Sequence, residues 1–390
     1  MKITHEKACL CALNRIFGFE PRIALALISH FGSASEVFSL KTEELDLLLG
    51  PHSKYRGCIT PDAMEREYKD LEKLSSQGIS FIGWSESEYP MRLKDCPDAP
   101  VGLYIRSSSP SDTLWGKHRA MAIVGTRDLS PYGKEWCERI VISLSELPKE
   151  ERPVIISGLA LGTDICAHRA ALASGLPTIG VMATGPENVY PYRHRYFAEE
   201  ICSAPGSALI TDYPPGTAPL AIHFLRRNRI IAGLSEATVL IESKIKGGGM
   251  MTARLADSYN RSIFALPGRV DDLRSQGCNH LIKSRIATPI ISIPDFLKEL
   301  GIRTVRRQSQ EQEKEQLGRL YGSTLPEEKI LQMGNILLAI RRERGITVED
   351  IAEQTGLGYA LTSQLTSMLE TDGIITRDLL QRCFINFRQS

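Results

Sequence analysis

The chain has 390 residues, more than one core usually serves, and 42% are apolar, enough to fill ordinary cores. Its 47 basic residues nearly cancel its 46 acidic ones, so any nucleic-acid surface is a local patch rather than a field around the molecule. Nine scattered cysteines without a C-x-x-C pair give neither zinc-ligand spacing nor a disulfide framework, and with no apolar signal core or membrane-length run the expected location is the cytoplasm.

Residues 1–75 read as a small helical domain. Leu10, Leu13, Ile16 and Phe17 recur at helical spacing. A Gly-Phe-Glu-Pro turn at 18–21 leads into a second helix, Arg22 to His30, followed by an N-cap at Ser33 or Ser35. Two short helices about a glycine turn fit a helix-hairpin-helix or SAM-like module, which meets DNA backbone through helix-start amides. The same pattern fits a packing module or a partner surface, and few basic residues decorate it.

Residues 80–300 alternate strand and helix. Ala120–Val124, Val154–Ser157, Thr178–Ala183, Ala208–Thr211, Ala237–Glu242 and Ser262–Leu266 are short and apolar nearly throughout, as strands covered on both faces are. Helical stretches at Gly133–Leu147, Asp164–Ser174 and Thr252–Tyr259 lie between them. The alternation predicts an α/β fold with a parallel, doubly wound sheet. A charged linker spans 301–325, with Arg306, Arg307, Glu311, Glu313, Lys314 and Glu315. In 326–390, Ile330–Arg341 is amphipathic, Thr347 starts a second helix with Asp350 three residues on, and Tyr359–Thr371 precedes Asp-Gly-Ile-Ile-Thr. This reads as a C-terminal winged-helix domain.

Ligands of open parallel sheets bind beyond the carboxyl ends of the strands. Three strands here end in glycine loops: Gly125-Thr126-Arg127, Ser157-Gly158 through Asp164, and Lys244, Lys246 with Gly247-Gly248-Gly249. Glycines let amides turn inward, and a following helix start favours an anion. Each loop alone also fits a tight turn, and Thr163 or Asp164 also fits a helix cap. The G-x-G-x-x-G and Walker A patterns are missing, which disfavours a nucleotide cofactor.

A second cluster is Phe224, Arg226, Arg227, Asn228 and Arg229. Arginine forks match phosphate, and Phe224 offers a ring to a base. Alternatively Phe224 belongs to the core and the arginines to structural pairs. No catalytic or metal constellation appears. Cys166 and His168 are two apart on a helix and face away from each other; Ser157 lacks a nucleophile elbow; His194 and His223 have no partner spacing.

Taken in order, these pieces resemble the DprA (Smf) family of DNA-processing proteins. The resemblance runs over about 85–295. Its parts are Ile123-Val-Gly-Thr-Arg127, Ser157-Gly-Leu-Ala-x-Gly-x-Asp164 with Ala167-His168 and Ala171-Leu172, Tyr190-Pro191, Arg227-Asn-Arg-Ile-Ile-Ala-Gly-Leu234, Glu242, the triple glycine with Thr252-Ala253, Pro267-Gly268 and Gly277-Cys-Asn-His-Leu-Ile282. Departures are Thr126, Thr163, Leu225, Gly-Gly-Gly-Met-Met at 247–251 and Ser-Arg-Ile-Ala at 284–287. The resemblance implies an extended Rossmann-like sheet flanked by the two small domains. It implies binding of single-stranded DNA, loading of RecA onto it during natural transformation, and a homodimer formed through the Rossmann domain. The implied backbone site is Gly125, Thr126, Arg127, Ser157, Gly158, the 224–229 block and the loop at 247–249. The alternative is a nucleotide-processing enzyme of the lysine-decarboxylase-like or phosphoribohydrolase class. Such enzymes bring a glutamate beside their glycine loop; here no carboxylate follows until Asp257. The winged helix as a duplex reader is disfavoured too, because Tyr359–Thr371 holds no lysine or arginine.

Overall fold

Local signals set the first elements of the computed structural model. Thr4 caps helix α1 (His5–Phe17) by accepting from the Lys7 amide, and Pro21 opens α2 (Pro21–Phe31), where a missing N–H costs nothing. Gly32, at φ +91°, closes α2 in a left-handed conformation, and Ser33 then caps α3 (Ala34–Ser39). Helices α4 (Thr42–Leu49) and α5 (Pro61–Ser76) follow. The structure describes residues 3–115, 119–301, 317–318, 320–322, 325–343, 345–378 and 381–385, in two compact units, 1–302 and 303–390.

The first helices lay Leu10, Leu13, Phe17, Leu27 and Leu71 against Phe81 and Tyr104 of an antiparallel hairpin, β1 (Ile79–Gly83) and β2 (Gly102–Arg106). Asn14 also donates to the Asp212 carbonyl at 2.7 Å. Residues 1–75 and 80–300, set apart by sequence pattern, therefore share one compact unit.

Beyond the short helices α6 (Met91–Lys94) and α7 (Asp112–Trp115), strand and helix alternate. The series is β3 (Ala120–Val124), α8 (Pro131–Ser145), β4 (Val154–Gly158), α9 (Thr163–Ala173), β5 (Thr178–Val181), α10 (Arg195–Ser203), β6 (Ala208–Thr211) and α11 (Ala221–Leu234). It continues with β7 (Ala237–Leu240), α12 (Gly248–Ser258), β8 (Ser262–Ala265), α13 (Gln276–Lys283), β9 (Thr288–Pro289) and α14 (Ile293–Glu299). The six strands read from the sequence all form. Strand order is β1-β2-β6-β5-β4-β3-β7-β8-β9, parallel from β6 to β9, with the hairpin added antiparallel at one edge. Side-chain alternation splits the core into two layers. Met121 and Ile123 of β3 face α8, α9 and α14, while Ala122 and Val124 face α11 and α12. The connection from β3 leads to β4 on one side, and that from β7 leads to β8 on the other. The carboxyl ends of β3 and β7 are thus the topological switch point, where ligands of such sheets bind.

In the second unit, helices Glu327–Arg342, Val348–Thr355 and Tyr359–Thr371 pack on a small sheet of Ile346–Thr347, Arg382–Ile385 and Ile375–Arg377, in that order. This is the expected winged-helix arrangement, with Thr347 capping its helix by accepting from the Asp350 amide. Leu317 and Tyr321 join its core, and most of the 301–325 linker lies outside the described residues. Among the described residues no helix is long and apolar enough to cross a membrane, and no side-chain cluster suits a metal.

Candidate nucleic-acid interface

Three loops meet at the switch point, and they meet tightly. A Cβ on Gly249 would lie 3.1 Å from the Gly125 Cα. Thr163, at the start of α9, donates its amide and hydroxyl to the Thr126 carbonyl at 3.1 and 3.2 Å. The close approach of backbones demands glycine at 125 and 249, whatever else these loops do.

The helix starts differ from one another. Ser130 caps α8, and the buried Glu242 carboxylate closes that start. Its Oε2 accepts from the Ser130 amide at 3.0 Å and its Oε1 from the Ser130 hydroxyl at 2.5 Å. A carboxylate from the end of β7 thus sits where a phosphate meets the first helix of nucleotide-binding sheets. The anion seat expected behind 125–127 is filled from within. The start of α12 is open instead. Its N-cap is Gly247, no side chain caps it, and Gly248 has free space around it. Lys244 and Lys246 stand exposed beside it. Uncapped amides next to two cations suit an anion.

The second loop lies deeper. Ser157 is fully buried and donates its hydroxyl to the Ile123 carbonyl at 2.6 Å. A Cβ on Gly158 would collide with the Arg227 guanidinium and the Asp164 carboxylate. Arg227 is only 4% exposed and donates to the Val181 carbonyl. Burial lowers the pKa of Arg227 and raises that of Asp164, each against the attraction between the two groups. His168 completes this floor. Its Nε2 lies 2.6 Å from the Gly158 carbonyl, which can only accept, so Nε2 carries the proton. Its Nδ1 lies 2.7 Å from the Thr178 hydroxyl, whose one proton also faces the Ile155 carbonyl at 2.8 Å. Burial pushes the His168 pKa down to about 4. Ser157, Gly158 and Arg227 build the floor of the edge rather than its surface.

The other arginines are committed within the protein as well. Arg226 donates to the Phe19 and Gly18 carbonyls at 2.8 and 2.5 Å and stacks on the Phe19 ring at 4.1 Å. Arg229 pairs with Asp212 at 2.5 Å, both nearly fully buried, and donates to the Asp98 carbonyl. Burial works against its charge, but Asp212 and Asp98 more than offset this and raise its pKa. Asn228 is buried too. Residues along α11 point about 100° apart, so three arginines in four positions cannot share one outward face.

Besides the two lysines, Arg127 reaches the surface, together with the rings of Phe224 and Tyr190. The exposed Arg127 guanidinium lies 5.4 Å from the centre of the half-buried Phe224 ring. Tyr190, 47% exposed, meets the same ring edge-on at 5.5 Å. Asp128 is held by Arg274 at 2.9 Å, and Arg127 forms no ion pair among the described residues. Tyr190 and Glu242 were not read as site residues. Both stand among the motifs of the family resemblance, without a role assigned to either.

This is an open Rossmann-like sheet whose carboxyl edge carries cations, rings and the uncapped start of α12. Residues 80–301 match the family model described as DNA recombination-mediator protein A. The chain is 37% identical to DNA processing protein DprA of Streptococcus pneumoniae over 258 residues, 65% of this chain and 87% of that one. It is 32% identical to DNA processing protein DprA of Bacillus subtilis over 301 residues, 76% of this chain and 95% of that one. The X-ray structure of the S. pneumoniae protein aligns with a TM-score of 0.61 at 30% identity, covering 77% of this chain and 99% of that one. DNA processing protein A of Helicobacter pylori, whose structure describes its single-stranded-DNA binding mode, aligns with a TM-score of 0.50 at 30% identity, covering 57% and 95%. The chain belongs to the DprA family of DNA recombination mediators.

Proposed function

We propose that this protein binds single-stranded DNA along the carboxyl edge of its sheet and passes the strand to RecA. The observation that carries this is the exposed cluster of Arg127, Phe224 and Tyr190 at the switch point, near the open start of α12. Arg127, Lys244 and Lys246 meet phosphates, together with amides of the Gly247–Gly249 turn. Phe224 and Tyr190 offer faces to unstacked bases, a contact worth about 1–3 kcal/mol per base. Gly125 and Thr126 set the loop, while Arg226, Arg227, Asn228 and Arg229 hold α11 and the floor beneath. Such contacts ignore base sequence and weaken steeply with salt. RecA as partner, a homodimer through the Rossmann domain and residence in the cytoplasm rest on family membership. A binding role, rather than the nucleotide-processing alternative, is supported by Glu242, the carboxylate after β7 and before the 247–249 turn, being engaged at the start of α8.

Titration of labelled single strands and duplexes tests this. Arg127→Ala is expected to weaken single-strand binding about tenfold and to reduce the slope of log K against log salt by roughly 0.7. Wild-type affinity in the variant refutes the site, and equal affinity of the wild type for duplex refutes the preference for single strands.

A further inference from the structure

We propose that the groove between α9 and α10 is a second segment of the nucleic-acid track, taking the single strand as it leaves the switch-point edge. This deepens the function proposed above and rests on it. Arg169, Leu172 and Ala173 lie at i, i+3 and i+4 on one face of α9. Arg193, Tyr196, Phe197 and Glu200 follow the same spacing through the 3₁₀ turn Tyr192–His194 into α10. The two faces enclose an open cavity of about 490 Å³ lined by these seven residues. Arg169 lies over the Phe197 ring at 5.7 Å, and Tyr196 at the rim is 88% exposed.

Two features tie the groove to the edge site. Tyr190, packed on Phe224, is three residues from Arg193, so the two Cα atoms stand at most about 11 Å apart. His194 is buried and its Nδ1 meets the Leu159 carbonyl at 2.8 Å, which fixes the 190–194 segment to the loop after β4. Both helices follow parallel strands and run away from the carboxyl edge, so the groove lies along the flank, between the second half of α9 and the first half of α10. Its chemistry favours a nucleic acid over a protein helix. Two arginines outnumber the one carboxylate of the lining, and two rings sit between them. A helix would need an apolar stripe, and beyond the rings the lining offers only Leu172 and Ala173. Cations that track a backbone, interleaved with rings that stack bases, make up the usual single-strand groove.

The test uses the full chain, fluorescence anisotropy and thymidine oligonucleotides of about 6 and about 16 residues. Tyr196→Ala and Arg169→Ala are expected to weaken binding of the longer strand about tenfold and to leave the shorter one unchanged. Tyr196→Phe, which keeps the ring, keeps the affinity. Wild-type affinity of both alanine variants for the longer strand overturns the proposal and leaves the groove to a protein partner. Arg127→Ala separates the two readings. It weakens both lengths if the edge site stands, so a loss there with no loss in the groove variants removes the groove alone. No loss of either length in Arg127→Ala removes the edge site itself.

Discussion

His168→Gln probes the floor of the carboxyl edge through its acid stability. His168 is fully buried, and its pKa falls from the ordinary 6.5 to about 4. Between those values the unfolded chain holds a proton that the folded chain does not, so stability falls as the pH falls. The contribution is intact above pH 6.5 and lost on the way down to about 4. The full loss amounts to about 3 kcal/mol, of which about 2 kcal/mol is gone by pH 5. Asp164, whose pKa is raised by burial, acts in the opposite sense, and His194, whose pKa burial lowers, acts in the same sense. Both are present in wild type and variant, so the difference between the two isolates His168. Glutamine replaces only one of the two hydrogen bonds, which costs about 1–2 kcal/mol at neutral pH. The stability curves should therefore converge on acidification and cross near pH 5. Urea unfolding of the full chain measures this, followed by hydrogen exchange of peptides from β4, α9 and β5 so that the second unit does not intrude. A wild-type-to-variant difference that stays constant from neutral pH to about 4.5 would refute the assignment of a buried neutral imidazole.

Glu242→Gln removes the charge at the start of α8 and leaves the Ser130 amide facing a side chain that has lost one acceptor. The cost is about 2 kcal/mol, and the first unit should melt about 4 °C lower in differential scanning fluorimetry; an unchanged Tm would mean that the Ser130 bonds add nothing. Arg226→Ala frees the Gly18 and Phe19 carbonyls and costs about 1 kcal/mol. Limited proteolysis should then cut faster within 18–31, while single-strand affinity should fall less than in Arg127→Ala. The reverse order of affinities would make Arg226 a DNA contact.

The sheet was legible because strands covered on both faces are apolar at every position, as in Ala120–Val124 and Ala237–Leu240. The hairpin of β1 and β2 was not. Its place is set by pairing Tyr104 with Thr211 of β6, a contact that leaves no local pattern. Within the site, Arg127 was legible because it follows a glycine at the carboxyl end of a strand, which places it at the edge of any such sheet. The arginines of α11 were not, because a helix position does not say what packs against it. Gly18 and Phe19 claim Arg226, and Asp212 claims Arg229, from other parts of the chain. Charge density in sequence thus marks the helix but not which of its arginines the rest of the chain claims.

Glu242 explains why a sheet of nucleotide-binding type would serve a strand instead of a cofactor. In such sheets the pyrophosphate sits on the helix after the first parallel strand. Here that helix is α8, and its start already holds a carboxylate within hydrogen-bond distance of Ser130. A phosphate brought to the same amides would face a buried like charge, and at a few ångströms in a poorly solvated site that repulsion reaches several kcal/mol. On the function proposed above, anion binding is displaced outward, to Arg127 and to the uncapped start of α12 with Lys244 and Lys246. A compact nucleotide needs an enclosed phosphate seat, whereas a strand needs a row of accessible cations beside rings that can stack. The carboxyl edge has filled the first and kept the second, as the single-strand site proposed above requires.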